Sequence, residues 1–221
     1  MHTEHVDTIV IGAGQAGLAA GYYLARRGHD FLILEHNVRL GENWRKRWDS
    51  LRLFTPAIYS SLPGMPFPSA PYHLPGKDEV AAYLEAYAAR FGLPVRLNTM
   101  VNAVRHEGDR FGVYTDGGLL TARNVIVATG AFQTPALPSF AADIDPTITQ
   151  VHSSGYRNPE QLPPGPVLVV GAGNSGAQIA LELAASREVW LAGPDVGHLP
   201  RRILGKDLFW WIWRTMLAAP L

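Results

Sequence analysis

The chain has 221 residues, 47% hydrophobic and 17% charged, with 19 basic and 19 acidic side chains that cancel. Those fractions exclude a disordered chain, and a net charge of zero gives no overall pull toward nucleic acid or an anionic membrane. Cysteine is absent, which excludes a disulfide framework, suits a cytoplasmic location, and denies a thiol-based reductase its redox pair.

From the N-terminus, residues 6–11 read as a short buried strand, residues 15–27 as a helix ended by Gly28, and residues 30–34 as a second strand closing on Glu35. That is a βαβ unit of about 30 residues. The apolar run 8–25 is no signal peptide, because Glu4 and Asp7 precede it where Lys or Arg would be required. Residues 41–75 are aromatic and proline-rich without periodicity, the composition of a functional loop that shapes a pocket.

Residues 77–91 carry Val80, Tyr83, Leu84, Tyr87, Ala88 and Phe91 at helical spacing, with Gly92 behind them. Short strands are expected at 95–97, 103–106, 110–115 and 119–121, turning at Gly108-Asp109 and Asp116-Gly117-Gly118. Another strand, 124–128, ends in Thr129-Gly130. Residues 135–166 form a proline-rich connection, and 167–170, 175–185 and 188–192 repeat the N-terminal β-α-β pattern. The expected fold class is therefore α/β. A Rossmann-like three-layer domain with a small antiparallel element (1–145) precedes an incomplete second Rossmann-like domain (146–221). Near the end, Trp210, Trp211 and Trp213 cluster in a run too short to span a membrane and broken by Arg214. Either they form an exposed patch that promotes self-association, or they pack on the chain's own core.

Both βαβ units carry a G-x-G-x-x-G turn. In Gly12-Ala13-Gly14-Gln15-Ala16-Gly17, Gly12 makes the turn out of the strand and Gly14 admits a pyrophosphate to the backbone, while Gly17 lets the helix pack on the sheet. Glu35 follows Gly17 by about the 20 residues expected of a carboxylate that binds adenosine ribose hydroxyls. The second turn, Gly171-Ala172-Gly173-Asn174-Ser175-Gly176, sits in the same context. Where its ribose acid would stand are Gly193-Pro194, then Asp195. Two readings stay open: Asp195 takes NAD, or Arg187, Arg201 and Arg202 take the 2′-phosphate of NADP. The arginines tip the reading toward NADP, although a solvated pair at Arg201 and Arg202 would look the same.

With both turns placed, the chain resembles the class B flavin-containing monooxygenases, close to the bacterial and plant YUCCA-like FAD- and NADP-dependent members. The residues that carry the resemblance are 12–17, Glu35, 41–44, Trp48-Asp49-Ser50-Leu51-Arg52-Leu53, 62–68, Ala128-Thr129-Gly130 and 171–176. It implies that FAD binds the first turn, that Asn43 and Trp44 lie beside the flavin, and that Thr129 and Gly130 return near its phosphates. A core-packing role for Trp44 is the alternative. Of the family's linker signature, His152 and Tyr156 are present, while Pro146 and Ile148 replace the expected Phe and Gly. His152 is thus a hinge or nicotinamide-site candidate beside the reading of an ordinary loop histidine. Tyr156-Arg157 departs from the Baeyer–Villiger branch, and Pro194 stands where the family's NADP arginine belongs.

The implied activity is a monooxygenase in which NADPH reduces FAD and O2 adds as a C4a-hydroperoxyflavin. Oxygen then passes to a small amine- or sulfide-type substrate. It requires no catalytic side-chain triad and no metal site, and the sequence shows spacing for neither. A flavin reductase or oxidase without oxygen transfer, and an inactive FAD-binding fragment, are the alternatives. The last arises because the family returns to complete its FAD domain, whereas this sequence stops at Pro220-Leu221.

Overall fold

The computed structural model describes residues 4–194, 197 and 199–218, the last three without their side chains. The chain divides into two compact units. One comprises residues up to Arg45 with Ser61–Pro68 and Asp78–Thr134, the other Lys46–Ser60, Ser69–Lys77 and the residues from Pro135 onward.

The first unit is built on six strands: β1 (Glu4–Ile11), β2 (Phe31–Leu34), β3 (Val95–Arg96), β4 (Val101–Glu107), β5 (Arg110–Thr115) and β6 (Gly118–Val127). Their order is β3-β2-β1-β6-β5-β4. β3, β2, β1 and β6 run parallel, while β4 and β5 are antiparallel additions. Parallel strands are covered on both faces and so read as continuous apolar runs. Ile9, Val10, Ile33 and Leu34 are accordingly buried. Helix α1 (Gln15–Arg26) buries Gly17, Leu18 and Gly21. Gly21 lets α1 lie close on β2: a Cβ there would come within 2.7 Å of the Ile33 Cδ1 methyl, which would have to shift.

The expected antiparallel element is present, but as an extension of the main sheet. Residues 119–121 and 124–128, expected as two strands, are one strand, β6. Neither Gly nor Pro interrupts the link Ala122-Arg123, so the backbone stays extended and pairs with β5 on one side and β1 on the other.

Helix α3 (Lys77–Arg90) is the amphipathic helix read from the sequence, and it buries Val80, Ala81, Tyr83, Leu84, Tyr87 and Ala88. Asp78 and Glu79 in its first turn and Arg90 in its last complement the helix dipole. Its tyrosines order residues 61–68, for which no hydrophobic period exists. The Tyr83 hydroxyl accepts from the Leu62 amide (2.7 Å) and donates to the Met65 carbonyl (2.7 Å). Tyr87 donates to the Pro63 carbonyl (2.6 Å). Withdrawal from water raises the pKa of the Tyr87 phenol, which stays a donor.

The second unit contains β7 (Val167–Val170), α4 (Asn174–Leu183), β8 (Val189–Ala192), the hairpin β9 (Arg202–Ile203) and β10 (Lys206–Asp207), and α5 (Leu208–Ala218). β7 and β8 pair in parallel. Of this unit's residues, Trp48, Leu51, Ala57, Tyr156, Ile179, Ala180 and Leu183 are buried.

Candidate functional site

The first glycine turn leaves β1 between β2 and β6. The Gly12 amide donates to the Leu34 carbonyl (2.8 Å), and the Ala128 amide donates to the Ile11 carbonyl (2.8 Å). Gly12 has φ 101°, and a Cβ on it would lie 2.6 Å from the Ala128 oxygen and 3.2 Å from the Thr129 Cα. The close approach brings Thr129 against the turn, with Gly130 next to it at φ 75°. Gly17 admits no Cβ, since one would stand 1.9 Å from the Gly12 oxygen. Gly14 differs: nothing lies within 4 Å of its Cβ position. It is the N-cap of α1, has no side chain to bond the first-turn amides, and is followed by Gln15 and Ala16. An uncapped helix start with open space before it is the arrangement that takes a phosphate.

Glu35 lies at the end of β2 and is buried, 6% exposed. One carboxylate oxygen accepts the Ala13 amide (2.9 Å), and the other accepts the Asn37 amide (3.0 Å) and side chain (2.7 Å). His36 Nδ1 is 3.1 Å from the same carboxylate. The acid is therefore held at the turn by backbone donors. Asn37, itself buried, is a residue the sequence reading missed, and its only signal is a position two beyond the acid.

Asn43 and Trp44 stand on the short helix α2 (Glu42–Arg45), seated on α3. Gly41 permits this seat, because a Cβ there would lie 2.7 Å from the Ala81 backbone. Arg45 fastens the segment by bonding the Leu40 carbonyl (2.6 Å) and Glu85 (2.9 Å). Asn43 is exposed and Trp44 half-buried.

The second turn reproduces the first. Gly171 has φ 107° and donates to the Ala192 carbonyl at 2.7 Å. A Cβ on Gly176 would be 1.8 Å from the Gly171 oxygen, and Gly173, the N-cap of α4, again faces open space. Asn174 and Ser175 are exposed at the helix start. In place of an acid, Gly193 packs against the turn, with room for no Cβ (2.8 Å from the Ala172 nitrogen). Asp195 lies outside the described residues.

α4 is tied to the aromatic segment and to the linker. Gln178 bonds both backbone groups of Arg52 (3.3 and 2.9 Å), and one turn later Glu182 accepts the buried Tyr156 hydroxyl (2.8 Å). Burial, with Glu182 beside it, raises the Tyr156 pKa. Asp49 completes the triangle by accepting from Lys77 (2.6 Å) and Asn158 (2.9 Å), while its amide donates to the Arg157 carbonyl (2.7 Å). The Lys77 ammonium, then Asn158, holds the Asp49 carboxyl below the usual carboxylate range. None of these side chains was singled out for such a role from the sequence, because their partners are distant along the chain.

His152 sits in a tight turn: its carbonyl accepts the Gly155 and Tyr156 amides, and its Nδ1 accepts the Ser154 amide (3.2 Å). An accepting Nδ1 places the ring proton on Nε2. Arg201 pairs with Asp207 (2.9 Å), donates to the Phe54 carbonyl and lies over the Phe209 ring. Arg187 bonds the Pro159 and Pro163 carbonyls at 3.0 Å each. Arg202 is exposed on β9.

Two glycine turns of dinucleotide-binding type, each leading from a parallel strand into a helix, mark the architecture of an oxidoreductase, and the comparisons agree on that class. The chain belongs to the pyridine nucleotide-disulphide oxidoreductase family, whose model matches residues 9–195. It is 52% identical over 207 residues to an uncharacterized oxidoreductase CzcO-like of Geobacillus kaustophilus, covering 93% of this chain and 60% of that protein. It is 36% identical to the indole-3-pyruvate monooxygenase YUCCA1 of Oryza sativa subsp. japonica, covering 91% of this chain and 51% of the relative. A solved flavin-containing monooxygenase from Stenotrophomonas maltophilia superposes with a TM-score of 0.87 at 35% identity, over 96% of this chain and 64% of that one. The flavin-monooxygenase resemblance read from the motifs therefore holds, and the chain spans about 60% of the length of the first curated relatives it matches.

Proposed function

We propose that the chain supplies the FAD and NADP sites of a flavin-dependent monooxygenase that oxygenates a small amine- or sulfide-type substrate with O2. The observation that carries the reading is the pair of equivalent turns, each with space before an uncapped helix. The first also has a buried carboxylate fixed beside it. In this reading the amides opening α1 receive the FAD pyrophosphate, and Glu35 takes the adenosine ribose hydroxyls with its remaining lone pairs. Gln15, Ala16, Thr129 and Gly130 close over the phosphates, while Asn43 and Trp44 border the flavin. Residues 1–145 carry this FAD part.

Residues 146–221 carry the nicotinamide part. The amides opening α4, with Asn174 and Ser175, receive the second pyrophosphate. Arg201 is anchored by Asp207, so Arg202 is the guanidinium presented to a 2′-phosphate, and His152 Nε2–H is the linker's donor. Bound FAD supplies the two-electron and oxygen chemistry, and the protein orients it and keeps out water. The 221 residues contain no cysteine, so they offer no dithiol for disulfide reduction, which favours oxygenation within this family.

The test measures NADPH oxidation and O2 uptake by the FAD-loaded chain, with product analysis on an amine and a sulfide. Oxygen incorporation from O2 into either supports the proposal. NADPH oxidation that returns all of the oxygen as peroxide would assign a reductase or oxidase.

A further inference from the structure

The β9–β10 hairpin carries a residue choice that folding does not explain. Its turn is Leu204-Gly205, with φ 49° and 74°, flanked by the pair Ile203 and Lys206. Two successive positive-φ residues are the signature of the tight hairpin turn that favours Asn-Gly or Gly-Gly. Leucine in this region is strained, and here its side chain is 86% exposed. A strained backbone presenting a large apolar group to water directs attention to function.

The surroundings state what the tip would meet. Leu199 and Ile203 are also exposed, as are Ile212 and Trp213 on α5. Between residues 199 and 215 stand Arg201, Arg202, Lys206 and Arg214 against a single acid, Asp207, and that acid is engaged by Arg201. A chain of zero net charge thus carries three cations beyond the single ion pair in this stretch. Lys206 and Arg214 both approach the Trp210 ring, at 5.8 and 5.4 Å from its centroid.

The hairpin is braced. The Trp211 indole donates to the Ile203 carbonyl (3.0 Å), and the Leu208 amide donates to the Arg201 carbonyl (2.9 Å). Asp207 Oδ1 accepts the Phe209 amide at the start of α5 (2.9 Å), and Phe209 stacks on Phe54. A rigid finger loses little conformational entropy on docking.

We propose that this hairpin, with α5, docks the protein peripherally on an anionic lipid surface. Leu204 enters the headgroup boundary while Lys206 and Arg214 face lipid phosphates. Tryptophan with cations around an apolar tip is the composition that suits the interfacial region. No helix among the described residues is long and apolar enough to cross a membrane, so the contact is a surface one. The proposal is independent of the cofactor reading.

The experiment is co-sedimentation of the chain with vesicles of phosphatidylcholine alone or mixed with phosphatidylglycerol, at low salt and at about 0.1 M salt. The variants are Leu204→Asn, which suits the turn, and Lys206→Gln with Arg214→Gln. Binding is expected only with phosphatidylglycerol present and weaker in salt. It should fall about tenfold for Leu204→Asn and about fivefold for each cation removed. The Leu204→Asn melting temperature should be unchanged or higher.

Binding that survives Leu204→Asn, or that ignores phosphatidylglycerol, overturns the proposal. A wild-type chain that does not sediment with vesicles also overturns it. If that chain instead self-associates through Leu204, the finger belongs to a protein partner.

Discussion

The two glycine turns share their backbone angles and close contacts and differ in their surroundings. Gly12 and Gly171 share φ near 100°, Gly17 and Gly176 leave the same lack of room for a Cβ, and Gly14 and Gly173 both face open space. Around the first turn the strand is flanked on both sides, and the Ala128 carbonyl presses on Gly12. Around the second, β7 has β8 as its one neighbour among the described residues, and nothing lies within 4 Å of a Cβ on Gly171. Leu168, Val170 and Trp190 are more than half exposed there, although parallel strands are ordinarily covered. The turn is therefore a local object, specified by glycine spacing and by its own helix, and the sheet around it adds stability separately.

That distinction can be broken by substitution. Gly17→Ala and Gly176→Ala should each cost about 3 kcal/mol or more, since a backbone oxygen blocks both positions at under 2 Å. Urea denaturation would measure the loss, and a mild effect at either would refute the turn geometry. Gly12→Ala and Gly171→Ala should diverge: about 3 kcal/mol for the first, from strain plus the Ala128 contact, and about 1 kcal/mol for the second, from strain alone. Equal losses would show that the surroundings do not matter.

Glu35→Ala sharpens the comparison, because only the first turn has an acid. It leaves the Ala13 and Asn37 amides without their acceptor and should cost about 2 kcal/mol in the same assay. The smallest expected effect belongs to the second unit. Asp49 has a depressed pKa when folded, so its contribution is present above the unfolded value of about 4 and is lost as pH falls through the folded one. Asp49→Asn should remove that acid-side loss while costing less than about 1 kcal/mol at neutral pH, since the side chain is half exposed.

What the sequence revealed follows the range of the forces involved. Both turns, α1, α3 and α4 were legible because glycine spacing and helical period act within a few residues. The continuity of β6 was missed: Ala122-Arg123 carries no strand pattern, and β1 and β5 hold it extended. The ties of Gln178 to Arg52 and of Asp49 to Asn158 join residues more than a hundred positions apart, beyond any local signal. The basic residues around Leu204 were legible as letters, but the positive φ of Leu204 and the exposure of its side chain were not.

The most direct measurement is titration of the chain with FAD, followed by flavin fluorescence, beside Gly14→Val. A Cβ at position 14 has no protein atom within 4 Å, so a side chain there would compete with the pyrophosphate that the proposed function places before α1. The wild-type chain should bind saturably, and the variant should lose most of that binding while melting at the same temperature. A variant that binds FAD as tightly as the wild type, or a wild-type chain that binds none, would contradict the assignment of the first turn.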